Sequence, residues 1–174
     1  EGGPKTRTTP WPARRLFGEE EKQAAVRMFD AAIASGNAFG YNGPEEAAYC
    51  EEFARYLGGG YADAVNSGTN AVYVALRALE LEPCAEVVVP PVTDPGGVMP
   101  VPLAGCIPVP ADAAPGSYNT DAERIAQRLS PRTRAILVAH IAGHPCDMDP
   151  ILALAESRGL PVIEDCAQAH GALY

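Results

Sequence analysis

Lysine is nearly missing from this chain. Of 174 residues only Lys5 and Lys22 carry that side chain, and both precede the first strand pattern. Basic residues are scarce as a class, 13 against 22 acidic, for a net charge of −9. No basic block stands out, which argues against a phosphate-backbone partner, so nucleic acid is not expected. The five cysteines (Cys50, Cys84, Cys106, Cys146, Cys166) include no CxxC pair, so a zinc framework is not indicated. Isolated thiols in odd number suggest a reducing, cytoplasmic compartment. No apolar run approaches the ~20 residues that span a bilayer, and the polar, Pro/Gly-rich start is no secretory signal. The chain opens on Glu1 rather than Met, so residues are expected to precede it. A GxGxxG turn after a strand is missing, as are a GxSxG elbow, an internal repeat and any low-complexity segment.

What is present is an alternation of apolar runs with helical patterns. Residues 1–15 form a Pro-rich basic arm in which Trp11, between two prolines, is placed to anchor in a groove. Glu19 to Ser35 reads as a helix with acids in its first turn and Val26, Phe29 and Ile33 on one face. Pro44 opens a second helix through Leu57, with Phe53 and Leu57 directed inward. Strands are expected at Tyr61–Val65, Glu86–Pro90, Cys106–Val109, Arg134–His140 and Pro161–Asp165. Helices are expected at Ala71–Leu81, Asp121–Leu129 and Met148–Arg158. The segment PVTDPGGVMPVP, residues 91–102, holds too much proline and glycine for a long helix and predicts a loop with one or two short helical turns. Repeated β–α units of this kind predict an α/β fold with a mostly parallel sheet flanked by helices.

Two stretches carry chemistry. Asn66–Ser67–Gly68–Thr69–Asn70 joins a strand to a helix start, where free backbone N–H groups and hydroxyls suit an anion, and Gly68 permits close approach. The same residues also suit ordinary capping by Ser67 or Thr69. PVIEDCAQAHG, residues 161–171, delivers Glu164 and Asp165 at the carboxyl end of a buried strand, the edge where open α/β sheets take ligands, though the same residues equally suit a strand ending in ordinary solvated acids. Glu164 points to the other side of that strand from Asp165 and reads as structural. His140, His144, Cys146, Asp147 and Asp149 cluster in sequence. Their spacing is off any helix face, however, and no metal site is expected. Asp147 reads as the cap of the next helix and Cys166 as a buried, inert thiol.

NSGTNAVYVALRAL, EVVVPPVT, PRTRAILVAHIAGHPCDMD and PVIEDCAQAHGA, in that order and spacing, resemble the DegT/DnrJ/EryC1/StrS aminotransferases. The resemblance extends over nearly the whole chain. It implies the large domain of a fold-type I, aspartate-aminotransferase-like enzyme using pyridoxal 5'-phosphate (PLP), with residues 16–174 as the N-terminal part of that domain. It further implies that Ser67, Gly68 and Thr69 hold the cofactor phosphate, that Asp165 pairs with the pyridine nitrogen, and that Gln168 contacts the ring-hydroxyl side. A carboxylate at the ring nitrogen keeps it protonated and the ring electron-withdrawing. His170 is a lesser candidate near the cofactor. Asp94 stands where the family usually has an aromatic that stacks on the ring, so Asp94 is a second lesser candidate.

The amino acceptor implied is a keto-sugar or related cyclic ketone, the donor glutamate or glutamine, and the assembly a homodimer. Transamination needs a reactive lysine. The resemblance places it downstream of Tyr174, so these residues alone are expected to be inactive. Two alternatives remain open on the sequence: a PLP-dependent sugar dehydratase of the same fold, in which histidine replaces that lysine, and a non-catalytic binding or assembly module.

Overall fold

The computed structural model describes residues 3–10, 12–13 and 16–174, so Trp11 and its expected anchoring role lie outside the described residues. The chain divides into two compact units, Glu1–Ala62 and Asp63–Tyr174.

The first unit holds α1 (Glu19–Ser35) and α2 (Pro44–Tyr56). Three glutamates fill the first turn of α1, and the Glu21 carboxylate accepts the Gly18 N–H at 2.7 Å. Gly36, at φ 71°, closes the helix in the left-handed region that only glycine enters cheaply. Proline opens α2 at its first position. Neither helix contains a buried residue. Val26, Phe29 and Ile33 do fall on one face, but that face stays 43%, 58% and 78% exposed. Phe53 is half-buried, stacked on Tyr49. Leu57, expected to point inward, is exposed because α2 has ended one residue earlier.

The second unit carries the core. Four parallel strands, β1 (Glu86–Val89), β2 (Ile107–Pro110), β3 (Thr133–Ala139) and β4 (Val162–Asp165), line up in the order β2-β1-β3-β4. Parallel sheets need cover on both faces. The alternating side chains of β1 and β3 supply both. Val87, Val89, Ala135 and Leu137 pack with Val72 and Leu76 of α3 (Gly68–Ala78) and Val101 of a short helix. Val88, Ile136 and Val138 face the opposite way, onto Ile125 of one helix and Ile151 and Ala155 of another. The short helices α4 (Pro95–Val98) and α5 (Pro100–Leu103) accompany α3, while α6 (Ala122–Ala126) and α7 (Met148–Arg158) cover the second face. The fold is therefore the α/β arrangement expected from the pattern.

Three expectations need correction. Tyr61–Val65 forms no strand, because no strand among the described residues lies alongside to give it a hydrogen-bonded ladder. The helix expected from Ala71 begins at Gly68, since Ser67 has extended backbone and its Oγ accepts the Asn70 N–H at 3.2 Å. The helix expected to reach Leu129 stops at Ala126, where the Arg128 and Leu129 N–H groups reach back only three residues and tighten the end. Among the described residues no helix is long and apolar enough to cross a membrane.

Candidate cofactor site

The C-terminal ends of β1, β3 and β4 and the first turn of α3 meet at one edge of the sheet. Ser67, Gly68 and Thr69 are exposed there. Ser67 Oγ takes the Asn70 N–H, which leaves the Gly68 and Thr69 N–H groups with no intrahelical acceptor at the positive end of an 11-residue helix. A Cβ added to Gly68 would meet nothing within 4 Å, so the turn is open to an anion.

Asp165 ends β4, beside Ala139 of β3, and is half-buried. Val162 joins the core on the α6/α7 face and Ile163 the core on the α3 face, so strand alternation sends Asp165 toward α3 and α4 and Glu164 the other way. Asp165 Oδ1 accepts the Ala167 N–H at 3.0 Å. Its Oδ2 has no hydrogen-bond donor among the described residues and faces Gly97, where a Cβ would lie 3.2 Å away.

The pair Gly96–Gly97 explains why the edge stays open. A Cβ on Gly96 would approach Thr69 Oγ1 to 2.5 Å, and one on Gly97 would approach Thr93 Oγ1 to 2.8 Å and Thr93 Cγ2 to 3.3 Å. Consecutive Cα atoms are about 3.8 Å apart, so the Thr69 hydroxyl and the Asp165 carboxylate address the same step of backbone. The two motifs singled out in the sequence, about 100 residues apart, are thereby brought together.

Asp94 caps the four-residue α4, its Oδ1 accepting the Gly96 N–H at 2.9 Å. An aromatic at this position would leave that N–H without its side-chain acceptor. Gln168 is exposed, and its Oε1 accepts the Ala142 N–H at 2.8 Å. His170 is also exposed and makes no hydrogen bond among the described residues.

Sequence reasoning weighed the cluster from His140 to Cys146 only as a metal candidate and missed the role the loop takes. His140 is only 6% exposed, and its Nε2 lies 3.0 Å from Glu164 Oε2 while its Nδ1 accepts the Cys146 N–H at 3.0 Å. With Nδ1 accepting, the ring proton sits on Nε2 and is donated to the carboxylate. His140, Glu164 and Cys166 bring three ligand-type atoms within 4.8 Å of one another. A metal on Nε2 would need that proton gone and the other nitrogen protonated, which the Cys146 N–H forbids. The signal for this set was the strand-end histidine itself. Its partner, a main-chain N–H six residues on, has no sequence signature.

One further expectation fails and another, the capping of α7 by Asp147, holds in position alone. Cys166 is exposed rather than buried, because β4 has ended and the chain turns outward. Its thiol is nonetheless shifted upward, by desolvation and by the carboxylates of Glu164 and Asp165, the reverse of an activated nucleophile. Burial pushes Cys146 up to about 11, with Glu164 adding to it. Asp147 stands at the cap position of α7 but makes no capping bond. Its Oδ1 accepts the Tyr174 hydroxyl at 2.6 Å, and that hydroxyl oxygen takes the Asp149 N–H in its place.

A three-layer α/β sheet whose C-terminal edge combines an anion-receptive helix start with a carboxylate that keeps one oxygen free of protein donors matches the fold of PLP-dependent aminotransferases of fold type I. Solved structures agree. An aminotransferase from Psychrobacter cryohalolentis superposes with a TM-score of 0.83 at 40% identity, over 95% of this chain and 40% of that one. A Bacillus subtilis protein, NtdA, solved with bound cofactor PMP, gives a TM-score of 0.83 at 28% identity, over 98% and 39%. The chain belongs to the DegT/DnrJ/EryC1/StrS aminotransferase family, whose model matches residues 19–174. It is 42% identical over 132 residues to the dTDP-3-amino-3,4,6-trideoxy-alpha-D-glucose transaminase of Streptomyces venezuelae, covering 76% of this chain and 35% of that one. Across the curated relatives it matches first, the chain spans 31% to 41% of their length.

Proposed function

We propose that residues 16–174 are the N-terminal part of the large domain of a PLP-dependent aminotransferase. The full protein moves an amino group from glutamate or glutamine to a keto-sugar or related cyclic ketone. The observation that carries this reading is the convergence of Thr69 and Asp165 on the Gly96–Gly97 step. That step joins a neutral, anion-receptive turn to a carboxylate with one oxygen unclaimed. A phosphate and a protonated ring nitrogen on one rigid molecule need that combination. The family and the amino-sugar transaminase among its relatives support the acceptor class.

In this reading the Gly68 and Thr69 N–H groups, with the Ser67 and Thr69 hydroxyls, hold the phosphate without a lysine. Asp165 Oδ2 holds a proton on the ring nitrogen, and Gln168 lies at the ring-oxygen side. When bound, the cofactor supplies the electron sink for the substrate carbanion. Residues 63–174 contain no lysine, so the reactive amine is expected downstream in the full chain, and residues 1–174 alone are expected to be inactive. A homodimer in the cytoplasm fits the same reading.

The test is PLP titration of the full chain by absorbance, followed by assay of amino transfer from glutamate or glutamine. Asp165→Ala is expected to weaken PLP binding about 100-fold, the scale of a lost charge-assisted bond of ~2–3 kcal/mol. A wild-type chain that binds no PLP, or an Asp165→Ala variant with full affinity, overturns the reading. Release of water from a sugar substrate without amine incorporation would instead favour the dehydratase.

A further inference from the structure

The loop between His140 and Cys146 is pinned more heavily than a connection between a strand and a helix needs. His140 grips its two ends, giving the ring Nε2 proton to Glu164 on β4 and accepting the Cys146 N–H on Nδ1, each at 3.0 Å. Asn119, 4% exposed, grips the middle: its Oδ1 accepts the Ile141 N–H at 3.0 Å and its Nδ2 donates to the His144 carbonyl at 2.7 Å. Between these fixed points Ala142 adopts φ 56°, ψ 27°, a left-handed conformation that costs a residue with a Cβ roughly 1 kcal/mol or more. Ala142 N donates to Gln168 Oε1 at 2.8 Å, while Gly143 passes so close that a Cβ there would lie 3.3 Å from the Gln168 carbonyl oxygen.

A main-chain N–H can be accepted only by the oxygen of a carboxamide, so this bond fixes which way round the Gln168 amide stands. Its Nε2 is left with both protons to donate. We propose that His140 is a positioning residue for the cofactor site. By clamping the 140–146 loop against β4 it holds Ala142 in its strained conformation and so presents Gln168 as a hydrogen-bond donor to an oxygen of the bound ligand. This rests on the reading of the sheet edge as a PLP site, where that oxygen is the ring oxygen. His140 itself, buried beneath the loop on the Glu164 side of β4, touches no ligand.

The test uses the full chain, stripped of cofactor and titrated with PLP by absorbance. Melting curves check that each variant folds. His140→Gln removes the acceptor for Cys146 N–H and is expected to weaken PLP binding about tenfold. His140→Asn keeps an acceptor near the Nδ1 position and should recover affinity to within about threefold of wild type. Gln168→Ala should also cost about tenfold. Because His140 acts through Gln168, adding His140→Gln to Gln168→Ala should cost nothing more. Independent, multiplying losses overturn the proposal, as does an unchanged affinity in His140→Gln.

Should His140→Gln not fold, Glu164→Ala replaces it, on a side chain 45% exposed. Its expected loss is about threefold, again absent in the Gln168→Ala background, and full affinity in the single variant counts against the proposal. Amide hydrogen exchange at Ala142 in the cofactor-free chain separates the loop from the functional reading. Protection in wild type that disappears in Gln168→Ala supports the clamp, and fast exchange in wild type refutes it. A wild-type chain that binds no PLP refutes the functional reading and leaves the exchange result to decide the loop.

Discussion

The two ends of the sheet treat their polar groups in opposite ways. At the N-terminal end Glu86, 6% exposed, accepts the Ser130 hydroxyl at 2.5 Å and pairs with Arg132. Ser130 N donates to Thr133 Oγ1, Arg132 N donates to Ser130 Oγ, and Glu86 N donates to the Arg132 carbonyl. Every member has its partner within the set. At the C-terminal end the Gly68 and Thr69 N–H groups, Asp165 Oδ2 beside Gly97, and the Gln168 amide nitrogen have no protein partner among the described residues, and two glycines keep side chains out of the space near Thr69 and Asp165. A closed polar set stabilises a fold, whereas an open one beside small residues is built for something else to complete it.

The largest expected effect separates the ends outright. Asp165→Ala should cost about 100-fold in PLP affinity and lower Tm only slightly, because Oδ2 has no protein donor among the described residues and the Oδ1 bond to Ala167 N lies in an exposed turn. Glu86→Ala should do the reverse, lowering Tm by several degrees and leaving PLP affinity unchanged. If both variants move both readouts together, the division between the two ends is wrong.

Gly97→Val sharpens the comparison further, with an expected loss of about tenfold in PLP affinity. A branched side chain there meets both Thr93 Oγ1 and Cγ2, so rotating Thr93 relieves one contact only by making the other, and the Asp165 carboxylate must move. Gly96→Ala places a Cβ 2.5 Å from the rotatable Thr69 hydroxyl and 3.2 Å from Asp94 Oδ1, both on exposed residues that can give way, and should cost less than Gly97→Val, about threefold. Equal losses at the two glycines would remove the case for Gly97 as the spacer of Asp165.

Most of this arrangement was legible in the residues, for reasons that also explain what was not. Glu19–Ser35 and Pro44–Tyr56 were readable almost to the residue because caps, first-turn acids and a proline act locally. Their burial was not readable, since an apolar stripe such as Val26, Phe29 and Ile33 says nothing about what covers it. Glu86–Val89 and Thr133–Ala139 stood out as apolar runs with both faces buried. Tyr61–Val65 carries the same kind of local signal, but a strand exists only with a neighbour. At the candidate site, Asp165 and the 67–69 turn were singled out through motif order. The spacing role of Gly96–Gly97 depends on contacts with Thr69 and Asp165 that no single stretch encodes, and the grip of His140 on Cys146 N, though only six residues apart, engages a main-chain N–H that leaves no mark on the sequence.

A smaller effect concerns pH at the closed end. The Ser130 hydroxyl, opposed in part by desolvation and helped by Arg132, holds the Glu86 carboxyl below its ordinary value of 4.5. A lowered folded-state pKa means the unfolded chain binds the proton more tightly. Glu86 therefore adds stability above about pH 4.5, and that contribution is lost as pH falls through its folded value. Glu86→Gln should flatten the acid limb of a Tm-against-pH curve between pH 5 and 3 and leave the curve near neutrality parallel to wild type. An acid limb as steep as the wild type's would assign that slope to other carboxylates.

The smallest expected effect lies at Asp94, which belongs to the open end by position and to the closed kind by its bonds. Its Oδ1 takes the Gly96 N–H at 2.9 Å, so one of its oxygens is already engaged in capping α4. If capping is its whole role, Asp94→Asn keeps an acceptor at the same place and leaves both Tm and PLP affinity within error. Asp94→Ala then costs about 1 kcal/mol of stability, the usual scale for a lost cap, with PLP affinity reduced no more than twofold. Asp94→Phe loses the cap equally but sets a ring beside the Gly96–Gly97 step. A rise in PLP affinity for the phenylalanine variant alone, despite its lower Tm, would mean that stacking is available at this edge and that the native chain has exchanged it for a fixed backbone turn. A fall matching that of Asp94→Ala would mean that the turn, held by Asp94, is itself what the cofactor requires of this position.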